Sequence, residues 1–130
     1  MPSQIRFVFV FHFFDLSSDR YHETRSRSLI TVGRHRDAID ELELVKAGPE
    51  RPRRHALKDI YRAPAHANLG EYSEAASFAA SGLVIAQGIN SVRNIASVER
   101  IYKQFPPDLF KHDSDVARLE YLLHCKQRAQ

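Results

Sequence analysis

The chain has 130 residues, enough for one domain with a single core and too few for two. Hydrophobic residues make up 43% and charged residues 27%, a globular balance that excludes wholesale disorder and a membrane-protein composition. Nineteen Lys and Arg against sixteen Asp and Glu leave a net charge of +3, which falls short of a dedicated nucleic-acid binder.

The chain opens on an apolar segment, residues 1–16, whose core IRFVFVFHFF runs from Ile5 to Phe14. It is about half the roughly 20 residues a membrane-spanning helix needs. It also lacks the small-x-small cleavage site of a signal peptide, since Asp15, Leu16 and Ser17 follow it. Ile5, Phe7, Phe9, Phe11 and Phe13 alternate as in a strand, yet Val8, Val10 and Phe14 make the other face apolar too. With helical patterns elsewhere and no sheet for a strand to join, a helix is expected here.

Residues 17–130 read as one helical domain with an internal repeat. GRHRDAIDELELVKA (Gly33 to Ala47) aligns with GEYSEAASFAASGLVIA (Gly70 to Ala86), matching Gly33 with Gly70, Asp37 with Glu74 and Ala38 with Ala75. The offset is 70 minus 33, or 37. In each copy a glycine lets one helix end and the chain turn at once into the next. A helix capped by Ser17 or Ser18 is expected to end on Leu29, Ile30 and Val32. After Gly33, Ala38, Ile39, Leu42 and Val45 recur on one face, with Leu44 on its flank.

The second hairpin repeats the plan. Ala56, Leu57, Ile60, Ala63, Ala67 and Leu69 precede Gly70; Ala75, Phe78, Ala79, Leu83 and Ala86 follow it. Pro64 is expected to kink the helix near Ile60 to Ala63, and Gly82, inside a helix, to mark close packing. Gly88 ends the hairpin. A fifth helix, capped by Asn90 or Ser91, carries Ile95, Val98, Ile101, Tyr102 and Phe105 up to Pro106-Pro107. A sixth, capped by Asp113 or Ser114, carries Val116, Leu119, Leu122 and Leu123.

These words resemble tetratricopeptide repeats, and more narrowly the helical C-terminal region of bacterial helix-turn-helix regulators. The resemblance is carried by RSLITVGRHRDAIDELE, RHALKDIYRAPAHANLGEYSEAASFAASGLVIAQGINS, SVERIYKQF and HDSDVARLEYLL. It implies an all-α fold of antiparallel helical hairpins, Ser17 to Lys46 and Arg53 to Gln87, stacked as a short solenoid with two further helices closing it. Where the family usually has an aromatic residue or leucine early in each first helix, this chain has His22 and Arg25, then Asp59 and Arg62. No DNA-reading motif precedes the repeats, so DNA binding is not carried over.

Counted from Gly33 and Gly70, the peptide groove implied by the resemblance contains Arg20, Glu23, Arg27, Thr31 and Asn68. The Lys and Asn pattern that clamps a C-terminal carboxylate in such domains is missing. The sharpest charge feature is the cluster Arg51, Arg53, Arg54, which can grip phosphate or an acidic peptide and is the alternative site.

No nucleophile elbow, dinucleotide fingerprint or phosphate loop occurs, so no catalytic residues or cofactors are expected. Nor is a metal: no two histidines stand three or four apart, and Glu120 with His124 reads as a surface ion pair. The single Cys125 excludes an intrachain disulfide, reads as a structural thiol and suits a cytoplasmic location.

The expectation is a noncatalytic protein- or peptide-binding module with no membrane association and no direct nucleic-acid role. The alternatives are an anion or nucleic-acid accessory module using Arg51 to Arg54, and a truncated fragment without independent function.

Overall fold

The computed structural model describes residues 18–129, so the opening segment 1–16, with the helix expected there, and Ser17 lie outside the described residues. Within them every regular element is helical. Helix α1 covers residues 18–31. It is followed by α2 (His35–Glu43), α3 (Pro52–Asn68), α4 (Tyr72–Gly88) and α5 (Val92–Lys103). A single 3-10 turn (Leu109–Lys111) leads into α6 (Ser114–Ala129).

One backbone device makes three of the connections. Gly33 and Gly70 adopt φ of +86° and +78°, and Asn90 does the same work at +55°. At each turn the next amide reaches back five residues: Arg34 N–H to the Leu29 carbonyl, Glu71 to His66 and Ser91 to Ala86, at 2.8, 2.9 and 2.8 Å. The left-handed residue itself reaches back three, to Ile30, Ala67 and Gln87. This pair of bonds satisfies carbonyls that a helix end leaves open. Gly88 is the last helical residue of α4, so the left-handed position after it falls to Asn90, among the few non-glycine types that tolerate it.

Helix starts follow less uniform rules. Pro52 sits in the first turn of α3, where its missing N–H costs nothing. Asp113 caps α6, its Oδ1 accepting the N–H groups of Asp115 and Val116 at 2.9 and 3.0 Å. Ser91 holds the cap position of α5, yet its side chain makes no capping bond. Pro64 stands inside α3, which remains helical across it from Pro52 to Asn68. The flanking Ala63 and Ala65 are fully buried and hold that turn in place.

Neighbours in sequence are neighbours in space. The α3 helix packs on α2, α4 and α5, while α4 also meets α5 and α6. An apolar cluster runs through α3 to α6, from Ala56 and Ile60 through Ala79 and Leu83 to Val98, Val116 and Leu119. Leu83 and Leu119 are completely covered, and each contributes about 1.5–3 kcal/mol relative to exposure. The α3–α4 contact is tight: alanines line it, and a Cβ at Gly82 would have no room against Ile60 and the Ala56 carbonyl. Ala38, Ile39, Leu42 and Val45 on and after α2 are buried as the period predicts, whereas Leu44 is exposed. Val32 and Leu69, placed by the pattern at the apolar ends of α1 and α3, are exposed as well.

The positions that depart from the repeat pattern are ionic in both hairpins. Arg25 and Arg62 are equivalent under the 70 minus 33, or 37-residue, offset, as are Glu41 and Phe78. In the first hairpin Arg25 and His22 both reach Glu41, at 3.3 and 2.6 Å. In the second, Arg62 lies 3.9 Å over the Phe78 ring while its Nη2 donates to Asp59 at 2.6 Å. The equivalent arginines both meet carboxylates, and in the second copy Arg62 gains an aromatic face where the first copy has Glu41.

Candidate ligand groove

The first helices of successive hairpins, α1 and α3, together with α5, border an open groove of about 400 Å³. From α1 comes Arg27; from α3 come Arg53, Leu57, Ile60 and Tyr61. From α5 and its cap come Ser91, Arg93, Asn94, Ser97 and Arg100. Arg93, Ser97 and Arg100 share one face of α5 because their spacings of four and three match its turn. Arg100 donates to the Ser97 hydroxyl at 3.0 Å, and that hydroxyl donates to the Arg93 carbonyl at 3.1 Å. Across the groove the Arg27 guanidinium lies 5.4 Å from the centre of the Tyr61 ring.

Most arginines elsewhere are neutralised locally. Arg34 pairs with Asp37, Arg36 with Glu71, Arg51 with Asp19, and Arg54 with Glu23. Arg25 and Arg62 are paired as described above. By contrast, Arg27, Arg53, Arg93 and Arg100 are exposed and form no ion pair with any described carboxylate. Arg20 and Arg118 also lack an ion pair, but they lie outside the groove.

Asn94 is the unusual polar group of the lining. Only 9% of it is exposed, and its side-chain amide makes no hydrogen bond among the described residues. Asn94 therefore carries a donor and an acceptor that water or a ligand has to satisfy.

The side chains expected to form a site separate into distinct roles. Of the groove residues inferred from the resemblance, Arg27 alone lines the groove. Glu23 is part-buried and holds Arg54 at 2.7 Å, so it ties α1 to α3. The Thr31 hydroxyl donates to the Arg27 carbonyl, and Asn68 is the exposed last residue of α3. The Arg51, Arg53, Arg54 cluster is dispersed. Arg51 turns back to the buried Asp19, which also accepts the Lys46 amide; Arg54 turns to Glu23; Arg53 alone enters the groove.

The repeat pattern ends before α5, so nothing in the spacing singles out its residues; as a further groove-bordering helix it contributes Arg93, Asn94, Ser97 and Arg100. His124 and Glu120 form the expected ion pair at 3.1 Å, and Cys125 is exposed.

Two carboxylates at the helix contacts, Glu23 on α1 and Glu71 before α4, are shifted in opposite directions. Burial pushes the Glu23 carboxyl above its usual range, while Arg54 pulls it back. Hydrogen bonds from Arg36 and then His66 hold Glu71 below the usual range.

Replacing Arg54 by Gln leaves Glu23 with its burial and without its close cation, and the expected loss is about 1–2 kcal/mol at pH 7. A carboxyl whose folded pKa exceeds its unfolded one favours the fold below the unfolded value and loses that advantage as pH rises through the folded value. The deficit of Arg54→Gln therefore shrinks as pH falls through the acid range where Glu23 is protonated. Urea titrations of both proteins at a series of pH values read this directly; a deficit that grows toward acid pH contradicts it.

No family model, curated protein or solved structure matches the chain. The groove and its side chains are what the functional reading rests on.

Proposed function

We propose that the chain is a noncatalytic protein- or peptide-binding module of the tetratricopeptide type, in which an extended partner segment lies along the groove bordered by α1, α3 and α5. The observation that carries this is the side-chain amide of Asn94 in the groove lining, open to the groove and unbonded among the described residues. A peptide main chain offers one donor and one acceptor per residue, the complement of a carboxamide.

Supporting features are the three like-built turns and the packing of α2 to α6 each on its sequence neighbour, as stacked hairpins require. By resemblance, the module is the sensory or assembly part of a bacterial regulator. No helix among the described residues is long and apolar enough to cross a membrane. With one cysteine in the chain, we place the protein in the cytoplasm. The anion-module alternative loses support because Arg51 and Arg54 are already engaged by carboxylates.

A displayed library of random peptides, panned against the full chain, tests the reading. Selected peptides are expected to bind about tenfold more weakly to Asn94→Ala, a drop of about 1.4 kcal/mol. The unfolding midpoint of that variant checks that the fold persists. Failure to select any peptide, or equal binding by a folded Asn94→Ala, would overturn it.

A further inference from the structure

The groove's charge is set by which arginines the fold neutralises. Those outside it largely face carboxylates, whereas Arg27, Arg53, Arg93 and Arg100 face the groove with none. Four unpaired cations in one concavity repel one another, and a ligand bearing the opposite charge relieves this.

The helix ends add to the same sign. Neither α3 nor α5 carries an acid in its first turn, and α5 starts at the groove without a side-chain cap. Its first amides and the positive end of its dipole are left for an acceptor.

Spacing narrows the ligand further. Arg93 and Arg100 are seven residues apart on α5, which at 1.5 Å per residue places their Cα atoms about 10.5 Å apart on one side. In a polyproline-type extended segment, residues three apart point the same way and are separated by about 9.3 Å. Carboxylates at that interval meet both guanidiniums while the main chain passes Asn94.

We infer that the groove binds an acidic extended peptide segment with carboxylates at every third residue, gripped chiefly by Arg93 and Arg100. This rests on the peptide-groove reading and names its ligand class. A nucleic acid is less well served. The unpaired arginines are concentrated in one short concavity, and Tyr61, the aromatic ring of the lining, is already met by Arg27. Single-strand binders instead combine a backbone-tracking basic groove with open stacking faces.

The test is fluorescence anisotropy of the full chain with a labelled peptide of repeated Glu-Pro-Ala. Its companions are the Gln-Pro-Ala version, a peptide with the same glutamates gathered at one end, and a short single-stranded RNA. The regularly spaced acidic peptide is expected to bind best and to weaken as salt rises. Arg93→Gln with Arg100→Gln is expected to weaken it about tenfold to a hundredfold, and exposed Arg118→Gln to leave it unchanged.

Equal binding of the Gln-Pro-Ala peptide, still sensitive to Asn94→Ala, overturns the acidic ligand and leaves the peptide groove standing. Equal binding of the gathered glutamates overturns the spacing. Tighter binding of the RNA overturns both readings, and so does failure of every peptide to bind.

Discussion

Replacing Asp59 by alanine is expected to lower the unfolding free energy by about 3 kcal/mol. Asp59 is 1% exposed and lies on the face of α3 that meets α4. Its Oδ1 accepts from Arg62 Nη2 at 2.6 Å, its Oδ2 from the Ser81 hydroxyl of α4 at 2.8 Å, and His55 stands 3.6 Å away. Removing the carboxylate strips Ser81 of its acceptor and leaves Arg62 with Glu43 at 3.0 Å and the Phe78 ring.

Arg62 keeps those partners, so the loss lies at the low end of the range for breaking a buried pair. Alanine at both Asp59 and Arg62 is expected to cost less than the two singles added, by about 1–3 kcal/mol, since the pair acts as a unit. Urea unfolding of the three variants gives the coupling energy; strict additivity would show that the two side chains stabilise the fold independently.

Gly82→Val is expected to cost about 3 kcal/mol, the upper part of the range for overpacking a core. A Cβ at that position falls 2.8 Å from Ile60 Cγ1 and 3.3 Å from the Ala56 carbonyl oxygen. Ile60 is β-branched and 4% exposed, and the carbonyl is part of the α3 backbone, so neither neighbour yields easily. Gly82→Ala meets the same contacts, and its loss of about 1–2 kcal/mol is what remains after the roughly 1 kcal/mol that alanine gains over glycine in a helix.

Gly88, at the end of the same helix, has nothing within 4 Å of its added Cβ. There alanine is expected to be neutral or to stabilise by up to about 1 kcal/mol. Opposite signs at the two glycines of α4, read from denaturant midpoints, are the outcome that checks the packing; like signs contradict it.

The backbone plan was legible in the sequence because local rules write it. A glycine followed at fixed distance by an acid and an alanine marks both hairpin turns, and Asp113-Ser114 before an apolar run offers two caps for α6, of which the structure uses Asp113. Asn90 was harder to find as a turn residue, because asparagine also caps helix starts and only its positive φ separates the two roles.

The ion pairs were illegible for a different reason. Asp19 with Arg51, Glu23 with Arg54 and His22 with Glu41 join residues on different elements, and periodicity along one helix carries no information about a partner across the interface. The same holds for the groove. Arg51, Arg53 and Arg54 are close as letters, but Arg51 precedes α3 and successive helical residues such as Arg53 and Arg54 point about 100° apart, so the fold sends them to different neighbours. Arg93 and Arg100 are far apart as letters and close as a surface.

The recurrent turns also govern how freely this chain can change its residues. Their bonds run between backbone groups, so the entry direction of each following helix depends on a left-handed residue and hardly on the side chains around it. Between the two copies the residue opposite the equivalent arginine differs, Glu41 in one and Phe78 in the other, while the turn is the same. Substitution on the exposed helix faces is thus cheap, while Gly33, Gly70 and Asn90 are constrained by backbone geometry as Asp59 and Gly82 are by packing. A helical stack built this way preserves its shape through sequence drift that leaves few letters in common.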